Sequence, residues 1–213
     1  MKADPDHMAD PTTAPSAWNL PNALTVARIA LVPVFVWLLV HDGGQQTGWR
    51  LAAWAAFSLA ILTDRVDGEL ARRRNLVTDF GKVADPIADK ALIGAALVAL
   101  SGLGELPWWV TVLILVRELG ITALRFVVIR HGVMPASHGG KVKTVLQATA
   151  IGLYLLPLQQ WFGAWATAVA WWVMLAAVVV TVVTGLDYVY QALHLRRHSA
   201  RTAMKKARRQ SRA

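Results

Sequence analysis

The sequence predicts an all-α, polytopic membrane protein with six transmembrane helices and a polar active-site cavity facing the cytoplasm. Three observations carry this. Of 213 residues, 55% are hydrophobic and the mean hydropathy is +0.42, richer in apolar groups than a soluble domain of this length. Several predominantly apolar runs are longer than the ~18 residues that a membrane-crossing helix needs. Lys and Arg are almost absent from alternate connections and crowd the others, the pattern that fixes orientation in a bilayer.

Residues 1–19 are polar and rich in Pro, Ala and Thr, and Lys2 is outweighed by Asp4, Asp6 and Asp10. That is the wrong charge for a signal peptide, so this segment reads as a disordered leader. The catalytic domain is expected over residues 20–190. Its first span covers 20–40, with Pro33 expected to kink it. Asn22, Thr25 and Arg28 recur every third residue and form a polar stripe. Either Arg28 snorkels to the surface beside a capping Asn22, or the stripe lines a substrate cavity.

The second span is expected over 49–70, the third over 85–101, the fourth over 108–129, the fifth over 144–158 and the sixth over 161–190. Apart from Arg50, the connections after spans one, three and five lack Lys and Arg. Both termini and the opposite ends of the spans are therefore expected in the cytoplasm. Residues 191–213 form a basic tail, and eight of the 22 Lys and Arg lie beyond residue 195. Beside a membrane span this charge suits anionic lipids better than nucleic acid, although the tail could equally be a disordered orientation signal. Without cysteine, thiolate metal sites and disulfides are excluded.

The densest polar stretch is TDRVDGELARRRNLVTDFGKVADPIADK, residues 63–90, which holds six of the 13 acidic residues. Asp64 and Asp67 are three apart and Asp85 and Asp89 four apart, so each pair shares a helix face. If the two helices are antiparallel neighbours, four carboxylates converge, and a hard divalent cation is the simplest relief for their repulsion. Gly68, Ala71 and Gly81 remove bulk where a ligand or helix must come close, and Arg72 offers a fork for phosphate. Taken singly, these acids have plainer readings. Asp85 before Pro86 suits a helix N-cap with proline at the first helical position, and Asp64 could pair with Arg65 or Arg72.

As a set, Asp64-x2-Asp67-Gly68-x2-Ala71-Arg72-x8-Gly81-x3-Asp85-x3-Asp89 resembles the signature of the CDP-alcohol phosphotransferase family of integral membrane enzymes. The resemblance implies a CDP-linked donor, here CDP-diacylglycerol, and release of CMP. It implies Mg²⁺ or Mn²⁺, two ions per site, on Asp64, Asp67, Asp85 and Asp89. It makes Asp89 the general base, and it places Asp67, Gly68, Ala71, Arg72 and Gly81 against the CDP-lipid. His138 is a rival base by residue type, but its expected loop position suits a solvent-exposed histidine. A homodimer is also implied.

NLPNALTVARIALVPVF in the first span, Arg117-Glu118-Leu119-x4-Leu124-Arg125, and Ser137-x2-Gly140-Lys141-x-Lys143-Thr144-x2-Gln147 are similar to the glycerol-phosphate branch of that family. The implied acceptor is sn-glycerol 3-phosphate and the implied product phosphatidylglycerophosphate. Arg117, Arg125, Lys141 and Lys143 would hold the acceptor phosphate, although Lys141 and Lys143 could serve topology alone. Other acceptors in the same fold remain open: phosphatidylglycerol, as in a cardiolipin synthase, or an inositol phosphate. A lipid-binding scaffold would not need every motif position, and a cation transporter would need a polar path to the outer face, where the spans show little polarity.

Overall fold

The computed structural model describes residues 20–73, 79–128 and 138–198, and every regular element among them is helical. α1 (Leu20–Val40) continues unbroken past Pro33 and ends in a 3₁₀ turn, His41–Gly44. In that turn Asp42, Gly43 and Gly44 all have positive φ, and the chain reverses into α2 (Thr47–Arg73). Gly44 is required there twice over: its φ is +70°, and a Cβ would meet Leu103 Cδ1 at 2.8 Å.

α3 (Asp79–Gly102) starts six residues before the expected third span. Pro86 therefore stands at the eighth position of the helix, and Asp85 is not its N-cap. The N-terminal turns of α3 read Asp79-Phe-Gly-Lys-Val-Ala84, too polar to register as membrane-spanning yet helical in continuity with the apolar run that follows. α4 (Trp108–Val128) matches the expected fourth span at its start and ends one residue short of it.

α5 (His138–Leu155) also begins six residues early, so His138 opens a helix and is not a loop residue. The connection to the last span holds a single extra turn, α6 (Leu158–Phe162), closed by Gly163 at φ +81°. α7 (Ala164–His198) is 35 residues long and runs past residue 190, where the tail was expected to begin. Among the described residues two stretches are long and apolar enough to cross a membrane, Asn22–Gly44 and Ala164–His194.

α1 packs on α2 and α3, α5 on α7 and α2, and α4 on α7 and α3. The polar side chains that pair with one another across α1, α2, α3, α4, α5 and α7 form one polar half of the bundle, while Arg50 of α2 and the Ser101–Thr111 pair lie in the other. The opposite half is apolar, with a core built from Phe35, Leu39, Phe57, Leu97, Leu100, Ile114, Ile151 and Met174. At this end Trp37 packs on His41 and Trp49, and Trp109 on Trp171, so the described rim is rich in tryptophan.

The apolar end is more polar at its rim than the sequence led us to expect. Arg50 is buried there, paired with Glu105, and it donates to the backbone carbonyls of Gly44 (3.1 Å), Leu155 (3.3 Å) and Tyr154. One guanidinium thereby ties three helix connections together. It borders a cavity of about 610 Å³ lined also by Gln45, Gln159, Gln160 and Thr167.

Candidate active site at the polar end of the bundle

The polar stripe of α1 faces inward. Asn22, Thr25 and Arg28 are all buried, Arg28 to 3% exposure, which excludes a snorkelling arginine. Arg28 instead donates from Nη1 to Asp64 Oδ1 on α2 at 2.7 Å, and the same nitrogen lies 3.8 Å from Asp89 Oδ1 on α3. The first and last aspartates of the motif are therefore held around one cation by three different helices. A buried arginine tolerates its position only with such partners. The Asp64 side chain is 34% exposed and that of Asp89 52%, so both carboxylates also open towards solvent.

Asp67, Gly68, Ala71 and Arg72 lie on the helical backbone of α2, and Gly81 and Asp85 on that of α3. The side chains of Asp67, Ala71, Arg72 and Asp85 fall outside the described residues, as do those of Arg125 and Lys141, and Ser137 falls outside altogether. No group of three or more metal-binding side chains occurs among the described residues. Asp64 and Asp89 are two of the four expected ligands.

A second polar cluster is built by α4, α5 and α7. Arg117 uses three edges of its guanidinium: Nε to Thr181 O (3.1 Å), Nη2 to Thr184 Oγ1 (2.8 Å) and Nη1 to Glu118 Oε1 (2.9 Å). Lys143 is buried and donates to the same Oε1 of Glu118. Gln147 Nε2 donates to Thr181 Oγ1 at 2.9 Å and so fixes the rim of α7. Gly185 lets Arg117 lie flat across α7, since a Cβ there would meet Arg117 Cγ at 3.2 Å and Nε at 3.3 Å.

Of the four expected acceptor cations, Arg117 and Lys143 are described, and they meet on Glu118, a residue not assigned to the acceptor site from the sequence. Glu118 carried one signal: a carboxylate inside an apolar span is costly unless it faces a partner. Lys90, which follows Asp89 in α3, adds positive charge on the side of Lys143 that faces the first cluster's helix.

A family model for CDP-alcohol phosphatidyltransferases matches residues 18–184. The chain belongs to this family. It is 56% identical over 175 residues to a probable phosphatidylglycerophosphate synthase of Mycobacterium tuberculosis, covering 82% of each chain. It is 39% identical to a CDP-diacylglycerol–glycerol-3-phosphate 3-phosphatidyltransferase of Bacillus subtilis, covering 80% of this chain and 93% of the other. A CMP-forming cardiolipin synthase of Streptomyces coelicolor is 34% identical, over 72% of this chain and 78% of its own. The relatives it matches thus carry both glycerol-3-phosphate phosphatidyltransferase and cardiolipin synthase names, and membership makes the chain a phosphatidyltransferase of a membrane-enzyme family.

Proposed function

We propose that this protein transfers a phosphatidyl group from CDP-diacylglycerol to sn-glycerol 3-phosphate, giving phosphatidylglycerophosphate and CMP. The observation that carries the reading is the convergence of Asp64 and Asp89 on one buried guanidinium, within a motif whose eight positions are all present. The Arg117–Lys143 pair, joined through Glu118, supplies the cationic binding surface that an anionic acceptor needs. The names of the two glycerol-phosphate relatives point the same way.

The carboxylates fit Mg²⁺ or Mn²⁺: they are hard oxygen donors, and Asp64 and Asp89 already draw positive charge between them. Asp64, Asp67, Asp85 and Asp89 would hold two ions. Such ions, when bound, neutralise the diphosphate oxygens that otherwise repel a nucleophile. Arg72 pairs with the CDP phosphates, while Gly68, Ala71 and Gly81 leave room for the donor. Asp89, the half-exposed carboxylate, takes the proton of the acceptor hydroxyl. That hydroxyl oxygen forms a bond to the phosphorus carrying the diacylglycerol. The bond from this phosphorus to the bridging oxygen breaks, and CMP leaves with the electron pair. Arg117, Arg125, Lys141 and Lys143 hold the phosphate of the acceptor so that its free hydroxyl is presented to Asp89.

In this reading α1, α2, α3, α4, α5 and α7 are six membrane spans, with the polar end, both termini and the cavity on the cytoplasmic side. The tryptophan-rich end then lies at the outer surface. The protein is a multi-pass resident of the cell membrane and works as a homodimer, its basic C-terminal residues resting on anionic lipid. A transfer assay on purified protein with a panel of acceptors tests the central claim. Release of CMP should require glycerol 3-phosphate, and a preference for phosphatidylglycerol would reassign the acceptor.

A further inference from the structure

We propose that Glu118 is a positioning residue for the acceptor site: its carboxylate holds Arg117 and Lys143 side by side and keeps both aimed at one anion. The proposal rests on the acceptor reading above but concerns a residue which that reading does not use. Two observations carry it. Arg117 Nη1, from the same helix as Glu118, and Lys143 Nζ, from α5 and 25 residues from Glu118 in sequence, bond the same oxygen, Oε1. Both cations are largely buried, with side-chain exposures of 12% and 9%.

Two cations brought together in a site of low dielectric repel, and each would turn towards solvent if nothing anionic lay between them. Lys90 adds a third positive charge on the α3 side. Glu118 is the anion that answers this, and it does so without saturating either partner. Arg117 has five N–H donors and commits three, to Glu118, Thr181 and Thr184. Lys143 has three and, among the described residues, commits one. What remains is a preorganised set of donors with net positive charge, suited to a phosphate group of an anionic acceptor. Thr181 and Thr184 fix the arginine from α7, and Glu118 fixes the lysine relative to the arginine.

A competing role makes the opposite forecast. If Glu118 merely occupied the cations until a phosphate displaced it, removing its charge would tighten acceptor binding. Glu118→Gln is close in size and decides between the two. We expect its KM for glycerol 3-phosphate to rise about ten- to a hundred-fold, with the KM for CDP-diacylglycerol within about two-fold of the parent. Glu118→Asp, which keeps the charge, should recover part of the loss. Adding Lys143→Gln to Glu118→Gln should cost less than Lys143→Gln costs alone, because the two act through one arrangement.

An unchanged or lower acceptor KM in Glu118→Gln would overturn the proposal. So would a parallel rise in both KM values with a fall in melting temperature, which marks a structural role only, or strictly additive effects in the double variant. If Glu118→Gln does not fold, the same KM split is read in Glu118→Asp, where a selective rise in acceptor KM again supports positioning and its absence overturns it. The acceptor assignment is checked separately on the unsubstituted protein. Should that protein use phosphatidylglycerol instead, the acceptor reading falls, and Glu118 is judged by the same selectivity towards phosphatidylglycerol.

Discussion

Arg28 and Asp64 form an ion pair between α1 and α2, with Nη1 2.7 Å from Oδ1 and the arginine almost wholly buried. The same nitrogen is 3.8 Å from Asp89 on α3. An acidic cluster of this kind needs positive charge from somewhere, and Arg28 supplies a fixed portion of it from within the fold. Divalent ions, in the reading proposed above, supply the rest.

This division of charge makes Arg28→Met informative. A hydrogen bond to a charged group contributes about 1.5–3 kcal/mol, which the partial exposure of Asp64 lowers to about 1–2 kcal/mol. We expect a lower melting temperature in the metal-free protein. Mg²⁺ should then raise the melting temperature of the variant more than that of the parent, since the ions must neutralise carboxylates that have lost their arginine. Equal metal-induced shifts in the two proteins would show that Arg28 and the ions do not share the task.

Activity should depend absolutely on a divalent cation. Chelation of the purified protein with EDTA should abolish CMP release, and Mg²⁺ or Mn²⁺ should restore it. Full transfer after thorough chelation would remove the metal from the mechanism.

Asp89→Asn should stop transfer while leaving binding of CDP-diacylglycerol largely intact, because the proton is taken only when the acceptor hydroxyl reacts. Donor binding measured by calorimetry, alongside CMP release, separates the two. Normal turnover in this variant would rule Asp89 out as the base.

Much of this architecture can be read directly from residue patterns, and the exceptions have physical causes. The spacing of the acids put Asp64 and Asp89 on inward-facing positions of α2 and α3, but what relates the two is Arg28 of α1, the helix that packs on both. The starts of α3 and α5 were missed by six residues each, because hydropathy detects the part of a helix inside the membrane and not the polar turns that extend it. Burial of Arg28 was one of two open readings, and no local feature distinguishes a snorkelling arginine from a paired one. Glu118 could be expected to face other charges from its place inside an apolar span, but its partner was not legible because Lys143 is 25 residues away in sequence and the two helices meet through their common packing on α7.

Gly185 offers a test of the acceptor site from the far side of Arg117. A Cβ at this position would stand 3.2 Å from Arg117 Cγ and 3.3 Å from Nε, so Gly185→Ala must push the guanidinium by a few tenths of an ångström. The bond from Nε to Thr181 O should weaken, and the KM for the acceptor should rise about three- to ten-fold with little change for the donor. Kinetics with each substrate varied in turn would show this, and an unchanged acceptor KM would mean that Arg117 has freedom which the packing denies it.

The acceptor assignment stands or falls with Arg117 itself. Its guanidinium is held on three edges by Glu118, Thr181 and Thr184, a geometry that a lysine cannot reproduce. If it binds the phosphate of glycerol 3-phosphate, Arg117→Ala should lower kcat/KM for that acceptor by about ten- to a hundred-fold. Arg117→Lys should be a poor rescue. Plain glycerol has the hydroxyls but no phosphate, so it should be a very poor acceptor for the parent, and Arg117→Ala should lose little further activity towards it. A loss of equal proportion with glycerol and with glycerol 3-phosphate would place Arg117 in the framework of the bundle and leave the phosphate to Lys143 and its neighbours.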